Sequence, residues 1–168
     1  NYKDVAVEAI TGSGKTLAFL VPAIEFLRKY SSASNDLIVL ILLPTRELAK
    51  QILDVLSLFI QFIPIIKPQL LIGGCSASDD YDKFKEIQPN IIIATPGKLH
   101  DFITLLPQTA FKSLELFIVD EADQILKNGL ENHLTAIFQA LPKQRRTGLF
   151  SATLTSELLR ITNAGMRN

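Results

Sequence analysis

With 168 residues, 48% of them apolar, the chain is long enough for one domain with a buried core and short for two. Seventeen basic residues balance seventeen acidic ones, so no net field draws it to nucleic acid or an anionic membrane, and a polyanionic partner must be held by a local site. Its one cysteine, Cys75, excludes an internal disulfide, no apolar run approaches the roughly 18 residues of a membrane span, and the N-terminus lacks a signal-peptide pattern. These features read as a soluble protein inside the cell, with no membrane partner; the start at Asn1 and the stop at Met166-Arg167-Asn168 read as a piece of something longer.

The first expected strand, residues 5–9, leads into Ala9-Ile10-Thr11-Gly12-Ser13-Gly14-Lys15-Thr16 and a helix over 15–30. In that helix Leu17, Phe19, Leu20, Ala23, Ile24 and Leu27 recur at the three- and four-residue spacing of one buried face. A glycine-bearing turn between strand and helix is what a phosphate-binding loop needs. Glycines let backbone N–H groups curl around phosphates, and the helix start adds its positive end. Lys15 can reach the outer phosphates and the Thr16 hydroxyl can ligate magnesium. The strict pattern has Gly where Ala9 stands; a plain turn with an incidental lysine competes, but Gly14-Lys15-Thr16 sits squarely at the junction.

Ser31-Ser32-Ala33-Ser34-Asn35-Asp36 reads as a surface loop. The second expected strand, 37–43, ends in Pro44-Thr45-Arg46-Glu47-Leu48 with a helix over 46–62; the third, 70–72, ends in Gly73-Gly74 before a helix over 79–87. The fourth, 91–94, ends in Thr95-Pro96-Gly97-Lys98 with a helix over 97–105. The fifth, 116–119, runs into Asp120-Glu121-Ala122-Asp123, and the sixth, 148–150, into Ser151-Ala152-Thr153, with helices over 130–140 and 156–164. Apolar strands without alternation suit burial on both faces, so the pattern predicts an α/β fold, a mostly parallel sheet with helices on both faces and right-handed crossovers. Ligands of such sheets gather at the carboxyl ends of the strands, where every polar cluster of this chain falls.

Taken alone, Asp120, Glu121 and Asp123 are equally well explained as an acidic first helical turn. Opposite a phosphate loop, a strand ending in Asp reads as the second acidic element of an NTPase. Asp120 would hold Mg²⁺, in part through water, and Glu121 would orient and activate the water attacking the γ-phosphate.

In this order, A-I-T-G-S-G-K-T, P-T-R-E-L, G-G, T-P-G-K-L, V-D-E-A-D and S-A-T make the chain resemble the first RecA-like domain of a DEAD-box ATP-dependent RNA helicase over essentially its whole length. The resemblance implies a RecA-like P-loop NTPase fold, and Ala9 becomes an agreement, because this family's loop begins with Ala. It implies nucleotide binding by Ala9, Ile10, Thr11, Gly12, Ser13, Gly14, Lys15 and Thr16, catalysis by Lys15, Asp120 and Glu121, and magnesium held by Thr16 and Asp120. Asp123 would couple the nucleotide site to Ser151 and Thr153. Pro44, Thr45, Arg46, Gly73, Gly74, Thr95, Pro96, Gly97 and Lys98 would contact the RNA sugar–phosphate backbone, with Arg46 supplying charge and glycines and helix starts supplying N–H groups. No base-reading set is visible, so binding without sequence selectivity is expected. Lys98 stands where the family usually has Arg, keeping the charge without the bidentate fork.

The implied cofactors are ATP and Mg²⁺, the implied partner is single-stranded RNA, and the implied work is ATP-driven unwinding or remodelling by a monomer. The family's adenine-recognising segment would precede Asn1, and a second RecA-like domain, with its trans-acting arginines, would follow Asn168. The 168-residue chain alone is therefore expected to hydrolyse ATP very weakly and not to unwind RNA. Residues 84–101 and Asn163-Ala164-Gly165-Met166-Arg167-Asn168 are similar to members acting on pre-ribosomal RNA, which implies ribosome biogenesis, pre-ribosomal protein partners and a nuclear or nucleolar place. Two rivals are an RNA-clamping scaffold, opposed by the intact Lys15, Thr16, Asp120 and Glu121, and a P-loop ATPase acting on DNA or protein, opposed by P-T-R-E-L with D-E-A-D. Lys143, Arg145 and Arg146 are expected on a solvated turn, His100, His133 and Cys75 without a chemical role, and Phe19, Phe26, Phe59 and Phe62 in the core.

Overall fold

A computed structural model describes residues 4–10, 12–30 and 36–166; Thr11 and nearly all of the expected loop at 31–36 lie outside them. Strands β1 (Val5–Glu8), β2 (Val39–Leu42), β3 (Pro68–Leu71), β4 (Ile91–Ala94), β5 (Leu116–Val119) and β6 (Arg146–Ser151) form one sheet in the order β1-β6-β5-β2-β4-β3. Every neighbouring pair is parallel. The helices among the described residues are α1 (Lys15–Tyr30), α2 (Arg46–Ile60), α3 (Ala77–Ile87), α4 (Pro96–Ile103), α5 (Ala122–Lys127), α6 (Glu131–Ala140) and α7 (Ser156–Gly165). Each expected strand and helix is present with ends displaced by no more than two residues, while α5 and a 3₁₀ turn at Gln108–Phe111 join the expected set.

The sheet separates two cores because successive strand residues point to opposite faces. Leu40 and Leu42 of β2, Ile92 of β4 and Phe117 and Val119 of β5 pack with Leu99, Phe102, Ile125, Leu134 and Leu158 from α4 to α7. Val39, Ile41, Ile91, Ile93 and Ile118 pack on the other face with Phe19, Leu20, Ala23, Ile24 and Leu27 of α1 and Ala49, Ile52 and Leu56 of α2. The three central strands β2, β4 and β5 are buried throughout, which is why they read as unbroken apolar runs. Edge strand β1 is largely exposed, and edge strand β3 opens with Pro68, a residue tolerated at the start of an edge strand.

Two expectations change. Phe62 is 79% exposed, two residues past the end of α2, whereas Phe19 is buried and Phe26 and Phe59 are half-buried. Arg145 is buried rather than solvated: its guanidinium lies over the rings of Phe117 and Phe138 at 5.6 and 5.5 Å, and Nη1 donates to Leu141 O and Pro142 O. Ring faces and carbonyls there replace the water that a cation otherwise demands. Arg146 opens β6 and pairs with Glu115 at 2.7 Å, so of the three basic residues only Lys143 stays on an open turn. None of the described helices is long and apolar enough to cross a membrane.

Candidate functional site

The β1–α1 loop turns through Gly12 and Gly14 at φ +85 and +86, a region that side chains rarely adopt, so glycine is required at both. The loop is anchored by Ala9 N–H donating to Ser151 O at 2.9 Å and by Ser13 N–H donating to Ile10 O at 3.3 Å. Lys15, the first residue of α1, is 9% exposed, and its Nζ is buried with no hydrogen-bond partner among the described residues. A buried ammonium without partners is costly unless a ligand supplies acceptors, and it sits at the positive end of a helix. The ligand class this favours is an anion.

β5 delivers Asp120 to the same place. Parallel pairing with β2 continues past the strand, with Asp120 N–H donating to Leu42 O at 3.0 Å. Asp120 is 6% exposed, and Oδ1 accepts from Glu121 N–H at 2.9 Å. Burial pushes its carboxyl up, against the opposing pull of that hydrogen bond and of the Lys15 charge, and the net shift is upward. Glu121 caps α5 with φ 48 and ψ 48, a left-handed backbone at a non-glycine residue. Gly12, Gly14, Lys15, Thr16, Asp120 and Glu121 line one cleft of about 390 Å³, closed on its other side by Leu48, Gln51, Ile52 and Val55 of α2. Ala9, Ile10 and Ser13 belong to the same loop, Ile10 with its side chain 73% exposed, and Thr11 lies outside the described residues. The hydroxyl of Thr16 and the carboxylate of Asp120 are hard oxygen donors suited to Mg²⁺. Among the described residues no group of three or more His, Cys, Asp or Glu could hold a metal by itself.

Asp123 is 3% exposed and fully engaged. Oδ1 accepts from Ser151 Oγ at 2.8 Å and from Ala152 N–H at 3.4 Å, and Oδ2 accepts from Lys127 Nζ at 2.9 Å. Burial alone would raise this carboxyl; the bonds from Lys127, Ser151 and Ala152 outweigh it and hold the group below the usual carboxylate range. The Ser151 hydroxyl also has Thr153 O at 2.8 Å, so one proton faces two acceptors. Thr153 thus joins through its carbonyl. Ser151 ties the acidic segment to the phosphate loop as well, since Glu8 pairs with Ser151 across β1 and β6.

A second cleft, about 590 Å³, is lined by Pro44, Thr45, Arg46, Gly73, Thr95, Pro96, Gly97 and Lys98, joined by Glu47, Asp101 and Leu130. Thr45 caps α2, its Oγ1 accepting from Leu48 N–H at 3.3 Å. The exposed Arg46 lays its guanidinium on Gly73; a Cβ there would fall 2.8 Å from Arg46 Cζ, so a larger residue would push the arginine side chain off this position. Thr95 caps α4 with Pro96 at the first turn and makes no side-chain cap bond, leaving its hydroxyl and the helix-start N–H groups facing the cleft. Gly74 is exposed on the following turn.

Sequence reading missed Lys127 and Asp80. Lys127 stands four residues after Asp123 on one helix, a spacing that signals ion pairing. Asp80 meets Lys98 only through the fold, and nothing in the sequence announces it.

Residues 1–161 match the family model described as DEAD/DEAH box helicase. ATP-dependent RNA helicase DDX55 of Danio rerio is 51% identical over 173 residues, covering 99% of this chain and 29% of that protein. DEAD-box ATP-dependent RNA helicase 18 of Oryza sativa subsp. japonica is 44% identical over 170 residues, covering all of this chain and 26% of that protein. The structure of Mss116p bound to ssRNA and AMP-PNP superposes with a TM-score of 0.87 at 31% identity, over 99% of this chain and 35% of that one. A DEAD box protein from the hyperthermophile Methanococcus jannaschii gives 0.82 at 32% identity, over 99% and 44%. The chain spans under a third of the length of these curated relatives.

Proposed function

The chain belongs to the DEAD/DEAH box helicase family, and from that premise we propose that it is the N-terminal RecA-like domain of an ATP-dependent RNA helicase. The observation that carries this reading is the buried, partnerless Lys15 ammonium facing Asp120 and Glu121 across one cleft. Lys15 and the loop N–H groups receive the phosphates of ATP, with Ala9, Ile10, Thr11, Gly12, Ser13 and Gly14 shaping the cradle. When bound, Mg²⁺ supplies charge that neutralises the phosphates, held by Thr16 and Asp120. Glu121 orients the attacking water and accepts its proton, while Asp120 lies within the field of the Lys15 charge.

Single-stranded RNA lies along the second cleft, on the Arg46 guanidinium, the Thr45 and Thr95 hydroxyls and the backbone at Gly73, Gly74, Pro96 and Gly97. These groups read sugar and phosphate, so affinity is independent of sequence. Mss116p carries ssRNA and AMP-PNP together, which supports the same pair of ligands here. Asp123, Ser151 and Thr153 couple the two walls of the nucleotide cleft, because Ser151 touches both the acidic segment and the phosphate loop. A second RecA-like domain of the full protein completes the site and supplies trans-acting arginines. The names of the DDX55 and helicase 18 relatives extend to RNA remodelling only; pre-ribosomal RNA as substrate, pre-ribosomal protein partners, a nucleolar place and a monomeric state complete the proposal.

The test is ATP turnover of the full-length protein with RNA, with DNA and with neither. RNA alone should stimulate. Equal stimulation by DNA would defeat the RNA reading, and no turnover under any condition would favour a scaffold.

A further inference from the structure

We propose that Lys98 reaches no RNA phosphate and instead forms with Asp80 a positioning pair that locks the loop from Gly73 to Cys75 against the first turn of α4. The proposal rests on the RNA reading of that cleft given above. Lys98 lines the cleft, yet its side chain is only 10% exposed and that of Asp80 only 4%. Its Nζ lies 2.6 Å from Asp80 Oδ2 and donates to Cys75 O at 2.7 Å. The attraction to Oδ2 is that of a buried ion pair. Asp80 is itself fixed to β3, since its carbonyl accepts from the buried Gln69 Nε2 at 2.9 Å.

The loop that carries Gly73 is thus held directly by Lys98 at Cys75 O, while its two flanks are joined to each other by Gln69 before it and Asp80 after it. Two backbone segments of the cleft, at Gly73 and at 95–97, receive their separation from this pair. Turning Lys98 toward a phosphate would strip a buried carboxylate of its counter-charge, a change that is strongly unfavourable. An ammonium already compensated by Asp80 adds no net charge for RNA and displaces no counterion when RNA binds. Arg46, seated on Gly73 and exposed, is the cation that the cleft presents.

The experiment measures the affinity of the full-length protein for an oligo-uridine strand across a range of salt concentrations, below the melting temperature of every variant. Lys98→Met and Asp80→Asn should each weaken binding by about tenfold, and the double variant no further than the weaker single one, because the two residues act as one unit. The slope of log affinity against log salt should stay at its wild-type value in Lys98→Met and in the double variant. A direct phosphate contact predicts the opposite pattern. Lys98→Met would flatten the slope by about 0.7, and Asp80→Asn would tighten binding by freeing the ammonium. Either result, or additive losses in the double variant, overturns the proposal. The double variant removes both charges together and so leaves no unpaired ion to unfold the pocket. A wild-type protein without affinity for RNA would sink the RNA reading and this proposal with it, whereas wild-type binding with a flattened slope in Lys98→Met sinks this proposal alone.

Discussion

Glu121 holds the most constrained backbone of the catalytic set, left-handed at φ 48, a conformation that costs about 1 kcal/mol or more at a non-glycine residue. The turn survives because Asp120 accepts its N–H and because α5 begins immediately after it. Glu121→Gln keeps the shape and the left-handed turn while removing the base. In the full-length protein it should leave ATP and RNA binding in place and lower turnover by about 10² to 10⁴. Normal turnover would return Glu121 to the role of a charged helix start. At Asp123 the chemistry is acid stability. Its folded pKa is depressed, so the stability it contributes is present above the ordinary carboxylate range and is lost only as pH falls through the lower folded value. Without Lys127, one of the bonds that offset burial is gone and the folded value rises. Lys127→Met should therefore melt lower than the wild type at neutral pH and lose less melting temperature on acidification, the two curves converging as pH falls through the carboxylate range; superimposable curves would show Lys127 to be idle.

Among the elements, α2 has the widest reach. Its first residues Arg46 and Glu47 wall the cleft proposed for RNA, and Leu48, Gln51, Ile52 and Val55 wall the cleft proposed for the nucleotide. Sequence periodicity finds the helix and its buried Ala49, Ile52 and Leu56 but is silent on the double role, because both clefts form only when β3, β4 and β5 arrive beside it. Helix α5 escaped the periodic reading for a simpler reason: six residues make fewer than two turns, too few for a stripe to register. β5 and α6 meet through Phe117 and Phe138, whose ring centroids are 5.3 Å apart, with Arg145 over both. Phe117→Ala should cost about 3 to 5 kcal/mol in denaturant unfolding, from lost burial and a cavity together. A cost near 1 kcal/mol would mean that α6 collapses onto the gap and that the aromatic seat of Arg145 is dispensable.

At the scale of the molecule, both clefts open along the carboxyl ends of one parallel sheet, and the groups that line them come from five different strand ends. Such a site lowers barriers by placement and charge, and it loses heavily when charges from outside are missing. A trans-acting arginine is worth about 10³ to 10⁵ in rate in related NTPases. The 168-residue chain by itself should accordingly hydrolyse ATP at least about 10³-fold more slowly than the full-length protein, with no response to RNA. RNA-stimulated turnover by the isolated chain at the full-length rate would show that no second domain is needed.

By itself the sequence determined the order of strands and helices, the all-apolar character of the central strands and the placing of each polar cluster at a strand end, because these depend on local pattern and on the two-faced burial of a parallel sheet. It also singled out Lys15, Asp120, Glu121, Asp123 and Ser151, whose residue types and junction positions carry chemistry. Only the tertiary structure decided what each of these touches. Lys98 against Asp80, Arg46 against Gly73, Arg145 between two rings and Ser151 shared between two segments are pairings of residues far apart in the chain. Charge is visible in a sequence, whereas the partner that compensates it, and hence whether it is free to meet a ligand, is set by packing.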